Sequence, residues 1–129
     1  MQIEHVAIWA KNIENLKSFY IKYFDAKSND KYINGTKAFE SYFLTFSNGS
    51  RLEIMQMPDI PDNKNNAIDQ YHGIIHIAFS VGSRQKVIDI TERLFNDGYE
   101  IINQPRETGD GYYESCILDP ENNRIEITV

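Results

Sequence analysis

The sequence predicts an α+β fold built from two tandem βαβββ modules, because the chain nearly repeats itself. The first half opens on the strand-like run IEHVAI and closes on SRLEIM, and the second opens on IIHIAF and closes on NRIEIT. His76 follows His5 by 71 residues and Glu126 follows Glu53 by 73, so one register relates both pairs within a two-residue insertion. We expect one domain, 1–129, with repeats 1–57 and 72–129 joined by a polar, proline-containing linker, 58–71.

The opening and closing runs of each half alternate as strands do. Ile3, His5, Ala7 and Trp9 share one face of the first strand, while Glu4, Val6 and Ile8 lie on the other. The closing strand places Arg51, Glu53, Met55 and Met57 on one face, and the second half repeats the pattern around His76 and Glu126. We expect the apolar face of each sheet to pack against a helix and the mixed face to line a site.

A helix is predicted after each opening strand. Asn12 and Ser83 are suitable N-cap residues, and Gly98 is a suitable residue to end the second helix. The residues expected on the buried stripes recur at helical spacing: Ile13, Leu16, Phe19, Tyr20, Tyr23 and Phe24 in the first helix, and Val87, Ile90, Thr91, Leu94 and Phe95 in the second.

The remaining strands follow each helix. FESYFLTF precedes the turn SNGS, and YYESCIL precedes DPENN, so each half is predicted to end in a hairpin. Shorter strands are predicted around residues 26–31 and 100–104. Each half therefore has the order βαβββ.

Composition limits the classes of protein. A chain of 129 residues and 15.0 kDa is one domain by size, and the single Cys116 excludes an internal disulfide framework. A net charge of −6 with scattered basic residues argues against nucleic acid as a partner. No apolar stretch approaches the roughly 20 residues of a membrane span, and the residues before the first strand do not lead us to expect a signal peptide. The expectation is a soluble, cytoplasmic protein with no nucleic-acid or membrane partner.

Two histidines and two glutamates recurring in register predict a metal site. A mixed nitrogen and oxygen ligand set suits one divalent ion such as zinc, nickel, manganese or iron. His5, Glu53, His76 and Glu126 are the candidate ligands, and Glu53 or Glu126 could also move a proton. A single histidine or glutamate on a strand is more often a solvent-facing residue; the recurrence of all four favours the metal site.

Candidate substrate-binding residues lie on the same strand faces. Trp9, Met55 and Met57 could form an apolar wall beside a substrate, with ordinary packing as the equal alternative. Arg51 and Arg124 could orient a carboxylate or an anionic ligand, although such residues are more often charges at the rim of a site. Tyr113 is a further candidate, and strand propensity alone also explains it. Cys116 is predicted to be buried and inert, and His72 to lie in a loop.

The chain resembles the vicinal oxygen chelate superfamily, which includes glyoxalase I, extradiol dioxygenases, fosfomycin-resistance proteins and bleomycin-binding proteins. The resemblance spans nearly the whole sequence and rests on three segments: HVAIWAKNIENLKSFY, GIIHIAFSV and ETGDGYYESCILDPENNRIEI. It implies paired βαβββ modules whose strands form a cupped mixed sheet around a metal. The ligands it implies are His5, Glu53, His76 and Glu126.

Within that superfamily, a His, Glu, His, Glu set is similar to the set of glyoxalase I. Bacterial glyoxalase I usually has an arginine four residues after the first histidine and an asparagine four residues after the first glutamate, where this chain has Trp9 and Met57. The resemblance therefore implies a metal-dependent, glyoxalase-like lyase or isomerase. Its small substrate would chelate the ion through adjacent oxygens, and the protein would be a homodimer. An extradiol-type dioxygenase and a non-catalytic protein of the bleomycin-resistance type are the alternatives.

Overall fold

The computed structural model describes all 129 residues and divides them into two compact units, Met1–Asp62 and Asn63–Val129, here called the first and second modules. The first module contains β1 (His5–Trp9), α1 (Ile13–Phe24), β2 (Lys27–Ser28), β3 (Tyr32–Asn34), β4 (Phe39–Thr45) and β5 (Arg51–Gln56). The second contains β6 (His76–Ser80), α2 (Arg84–Asn96), β7 (Ile101–Glu107), β8 (Tyr113–Leu118) and β9 (Arg124–Thr128).

Each module forms one mixed sheet with one helix, which confirms the predicted α+β class. The strand order is β1-β5-β4-β2 in the first sheet, with β3 also paired to β4, and β6-β9-β8-β7 in the second. The opening and closing strands of each module run parallel, and the other pairs are antiparallel. The internal repeat of the sequence thus corresponds to a repeat of strand order and direction.

The helix ends follow the sequence signals. The side chains of Asn12 and Ser83 accept hydrogen bonds from the third backbone N–H that follows each of them, at 3.0 and 3.3 Å. At the end of α2, Gly98 adopts a φ of 88°, and Tyr99 N–H donates to the carbonyl of Leu94 at 3.0 Å. This left-handed ending costs a glycine little, since it has no Cβ.

The core of each module lies between its helix and one sheet face. In the first module, the side chains with almost no exposure include Leu16, Tyr20, Leu44 and Ile54. In the second they include Val87, Leu94, Ile117, Ile125 and Ile127. Each such aliphatic side chain contributes roughly 1.5–3 kcal/mol through the area it removes from water. Burying these faces leaves the opposite face of each sheet to carry the histidines and glutamates.

Three residues predicted on the buried stripes of the helices are not buried. Phe95 of α2 is 63% exposed, and Phe24 and Ile90 are only half-buried. Each helical residue advances about 100° around the axis, so Phe95 lies roughly 80° from Val87, beyond the edge of the buried stripe. Size and hydrophobicity do not bury an aromatic residue that the helix turns toward solvent.

The second strand of each module differs from its prediction. In the first module it is interrupted: β2 and β3 both pair with β4, and between them Phe43 N–H donates to the Asn29 side chain at 2.7 Å. In the second module β7 continues past the predicted boundary and through Pro105. Proline is tolerated there because β7 is an edge strand with register shifts against β8.

None of the helices has the length and apolar character needed to span a membrane.

Candidate functional site

Each module brings one histidine and one glutamate together on the open face of its sheet. Parallel pairing sets Ala7 beside Glu53 in the first module and Ala78 beside Glu126 in the second. The histidine is two residues before each alanine, so it lies diagonally across from the glutamate on the same face. His5 Nε2 is 3.8 Å from Glu53 Oε2, and His76 Nε2 is 3.2 Å from Glu126 Oε2. In both modules the imidazole is exposed and the carboxylate half-buried.

These separations fit two neighbouring ligands of one ion. With metal–ligand bonds of about 2.0–2.2 Å, a nitrogen and an oxygen in adjacent positions lie roughly 3.0–3.4 Å apart. The pair in the second module is within that range, and the pair in the first is slightly wider. No three His, Cys, Asp or Glu side chains form a group that could hold a metal ion. Each module therefore brings together two candidate ligands.

The imidazole of His5 has a carboxylate on its other side. Its Nδ1 is hydrogen-bonded to Glu4 Oε2, and the second oxygen of Glu4 forms an ion pair with Nη2 of Arg51. The hydrogen bond from His5 is the main cause that holds the pKa of Glu4 below its ordinary value. The guanidinium of Arg51 lies 4.1 Å from the centre of the Phe43 ring, and that ring meets His5 edge-on at 5.4 Å. Glu4, Arg51 and Phe43 thus surround His5.

The second module surrounds its pair differently. Cys116 lies directly opposite Glu126 across the β8–β9 ladder, and burial raises the pKa of its thiol. Glu114, two residues earlier on the same face, has a pKa raised first by burial and then by the charge of Glu126. The predicted inertness of Cys116 agrees with its burial, since a raised pKa leaves little thiolate.

The protein's family follows from a sequence match that spans nearly the whole chain. A family model described as the glyoxalase/bleomycin resistance protein/dioxygenase superfamily matches residues 2–127. The chain belongs to this superfamily. Members of the glyoxalase superfamily are often enzymes that act on small molecules, and they typically bind a divalent metal ion.

One curated protein matches part of this sequence, and two solved structures have a similar fold. The uncharacterized protein YqjT of Bacillus subtilis is 32% identical to this chain over 65 residues. The match covers 45% of this chain and 51% of YqjT, so it spans about half the length of this curated relative. A glyoxalase family protein from Enterococcus faecalis has a TM-score of 0.78 at 24% identity, covering 99% of this chain and 97% of that one. A mutant of the fosfomycin resistance protein FosX from Listeria monocytogenes, complexed with Mn(II) and dihydroxypropylphosphonic acid, has a TM-score of 0.72 at 20% identity, with coverages of 98% and 90%.

The predicted apolar wall has aromatic neighbours. Trp9 and Met55 are directly paired between β1 and β5, while Met57 follows the end of β5. The ring of Trp9, which is 39% exposed, meets Phe39 edge-on at 6.1 Å, and Phe39 meets Tyr32 at 6.1 Å. Aromatic residues from three strands therefore adjoin one another on the sheet face that also carries Met55.

The two arginines that the sequence treats as equivalent have different partners. Arg51 pairs with Glu4 beside His5, whereas Arg124 is only 6% exposed and donates from Nη2 to the carbonyls of Asn66 and Ala67, at 2.8 and 3.0 Å. Arg124 is thus not the rim charge that its position suggested. It ties the segment before β6 to the sheet. Tyr113 is half-buried beneath the guanidinium of Arg84, 4.7 Å from the ring centre.

Sequence reasoning missed Glu4 and Glu114. Glu4 was assigned to the opposite face from His5 because neighbours alternate along a strand, but β1 begins at His5 and leaves Glu4 outside that rule. Glu114 could have been found from the repeat, because the antiparallel pairing places it diagonally from Glu126 on the same face.

Proposed function

We propose that the protein is a metal-dependent, glyoxalase-like lyase or isomerase in which His5, Glu53, His76 and Glu126 together bind one divalent ion. The observation that carries the proposal is the recurrence of the same pair: a histidine Nε2 and a glutamate Oε2, at 3.8 and 3.2 Å, at the same register in both modules. If the histidine lay beside the glutamate by chance in one module, the same pair would not be expected at the same register in the other module.

The ligand set defines the chemistry. A divalent ion held by two imidazoles and two carboxylates supplies polarisation of substrate oxygens and keeps coordination positions open for them. The protein's own part is proton transfer. We propose that Glu53 or Glu126 takes a proton from a carbon that bears a hydroxyl group and returns it to the neighbouring carbonyl carbon, while the hydroxyl proton passes to the former carbonyl oxygen. Such an isomerisation consumes no co-reactant.

The test is the metal content of freshly purified protein. We expect about one divalent ion per pair of modules, and loss of that ion when His5 and His76 are both replaced by alanine. The matched control is His72→Ala, because His72 is the remaining histidine of the chain and lies before β6 in an exposed segment. Stoichiometric metal that persists in the double variant would overturn the assignment.

The same preparation separates the alternatives. Ferrous iron, with oxygen uptake on a catechol, would identify an extradiol-type dioxygenase instead. A metal-free protein that binds a small molecule without turnover would identify a binding protein of the bleomycin-resistance type.

We propose that the substrate is small and more apolar than a glutathione adduct. Trp9, Met55 and Met57 form the apolar part of its binding surface, and the ring contacts from Trp9 through Phe39 to Tyr32 support this proposal. Tyr113, Arg51 and Arg124 complete the set of substrate-binding candidates, and the internal partners of the two arginines make them the weakest members.

We further propose that the protein is a homodimer with two-fold symmetry. The support is the resemblance to dimeric relatives, together with two sheets that end in open edge strands. Light scattering at micromolar concentration tests the dimer, and a monomer would exclude it. To learn whether the dimer shares its sites, chains carrying His5→Ala are refolded with chains carrying Glu126→Gln. Recovery of metal binding at half the sites of mixed dimers indicates sites built from two chains.

A further inference from the structure

We propose that Glu4 is a positioning residue which fixes His5 with a bare Nε2, whereas His76 has no such partner, so that the two half-sites are unequal. The inference rests on the proposed metal site, because it concerns how each histidine is prepared to bind a cation. It adds Glu4 to the four proposed ligands, and it adds a difference between the surroundings of His5 and those of His76.

The proton on His5 can be located from its partners. A carboxylate oxygen only accepts hydrogen bonds, and the other oxygen of Glu4 forms an ion pair with Arg51. The ring nitrogen bonded to Glu4 is Nδ1, so Nδ1 must carry hydrogen. In the neutral ring, Nε2 is then the atom with the free lone pair. Nε2 is also the atom 3.8 Å from Glu53, on the side where the metal is proposed to bind.

The second module lacks this device. The residue before His76 is Ile75, which has no side-chain acceptor, whereas the residue before His5 is Glu4. The carboxylate beside His76 is Glu126, whose Oε2 is 3.2 Å from Nε2. No carboxylate is hydrogen-bonded to Nδ1 of His76 in the way that Glu4 is bonded to Nδ1 of His5. A neighbouring side chain therefore fixes the tautomer of His5, and none fixes that of His76.

Arg51 and Phe43 hold Glu4 and His5 in place. Arg51 neutralises the second oxygen of Glu4, and the Phe43 ring packs against both the guanidinium and the imidazole. Their positional counterparts in the second module are Arg124, which binds backbone carbonyls, and Cys116, which has no ring. The whole support is thus confined to the first module. Carboxylates that orient a ligating histidine in this way typically change metal affinity by about 10- to 100-fold.

The first experiment needs no metal. Long-range proton–nitrogen NMR correlations of the imidazole rings, recorded near pH 8, distinguish hydrogen on Nδ1 from hydrogen on Nε2. We expect His5 to carry hydrogen on Nδ1, and His76, which has no such acceptor at Nδ1, to show a mixture of the two tautomers. In Glu4→Met, which keeps the side-chain length and removes the carboxylate, His5 should shift toward hydrogen on Nε2 while His76 is unchanged. Hydrogen on Nε2 of His5 in the wild-type protein, or no change in Glu4→Met, would overturn the proposal.

The second experiment measures Zn²⁺ affinity by competition with a chelator. We expect Glu4→Met to bind Zn²⁺ about 10- to 100-fold more weakly, and Glu4→Gln, which keeps an acceptor oxygen without the charge, to recover part of that loss. Glu107→Met is the matched control, since Glu107 is also an exposed carboxylate paired with an arginine, Arg84, and should leave affinity unchanged. Equal weakening in Glu4→Met and Glu107→Met would reduce Glu4 to a general surface charge and refute the inference.

The two experiments separate the proposals. If wild-type protein binds no metal, the proposed function fails, and the tautomers still decide whether Glu4 positions His5. If wild-type protein binds Zn²⁺ and Glu4→Met binds it equally well, the proposed metal site stands and this inference fails.

Discussion

Replacing Glu14 with glutamine should destabilise the first module, and the loss should disappear in acid. Glu14 lies in the first turn of α1, where a negative charge is favourable, and its carboxylate contacts Lys17 Nζ at 2.6 Å, Lys31 Nζ at 2.8 Å and the Tyr42 hydroxyl at 2.8 Å. The hydrogen bond from Lys17, followed by those from Lys31 and Tyr42, lowers the pKa of Glu14 from 4.5 to about 2. The carboxylate thus links the helix to β4.

The size of the effect follows from that pKa. A difference of one pKa unit corresponds to about 1.4 kcal/mol, so the drop from 4.5 to about 2 sets an upper limit of roughly 3.4 kcal/mol. The side chain is 51% exposed, and solvent and salt screen ion pairs of this kind strongly. We therefore expect the free energy of unfolding to fall by about 1 kcal/mol in Glu14→Gln at pH 7.

Urea unfolding followed by fluorescence measures this change, because Trp9 is the single tryptophan and lies in the same module. The folded-state pKa of Glu14 is lower than the unfolded value, so its stabilisation is complete above about pH 5. It is lost as the pH falls through 4.5 toward 2. The difference between the wild-type protein and Glu14→Gln should shrink over that window. Glu92→Gln, an exposed substitution on α2, is the control. A difference that stays constant from pH 7 to pH 3 would refute the reasoning.

Three further predictions address the second module and the substrate. Thr91→Val should lower the free energy of unfolding by about 1–3 kcal/mol, because it leaves buried Ser115 without its partner at 2.7 Å, and adding Ser115→Ala should restore part of the loss in a double-mutant cycle. The Cys116 thiol should react with a disulfide reagent at pH 8 far more slowly in folded than in urea-unfolded protein, because it is buried and its pKa is raised; equal rates would contradict its placement. The hemithioacetal of methylglyoxal and glutathione should be a poor substrate, and a kcat/KM of roughly 10⁴ M⁻¹s⁻¹ or above would exclude the proposed substrate class.

The parts of the fold that the sequence could predict are those fixed by local chemistry. Asn12 and Ser83 mark the helix starts because a side-chain oxygen there satisfies a backbone N–H that the helix leaves free. The strand faces around His5 and His76 follow from simple alternation. The repeat then relates the two halves without any knowledge of the third dimension. The family match over residues 2–127 confirms the resemblance that those segments carry.

The parts that could not be predicted depend on tertiary neighbours. The sequence gives Arg51 and Arg124 the same position before a glutamate, yet one pairs with Glu4 and the other is buried on the carbonyls of Asn66 and Ala67. Which carbonyls approach a guanidinium depends on the path of the chain before β6, and no spacing rule encodes that path. The interruption between β2 and β3 also depends on a tertiary neighbour. The Asn29 side chain accepts the hydrogen bond of Phe43 N–H in place of a strand carbonyl, and it can do so only because Phe43 lies opposite it.

The repeat therefore conserves the ligand pairs and not their surroundings, and this difference has a physical consequence. In the proposed site, which all four residues build together, the two histidines would be held by different neighbours. Here His5 is supported by Glu4, Arg51 and Phe43, while His76 has Ile75 and Cys116 at the matching places and Glu126 at 3.2 Å from its Nε2. Metal affinity depends on how far each ligand is already deprotonated and oriented. The first module thus holds its histidine with a second carboxylate, an arginine and an aromatic ring, and the second module has no such support.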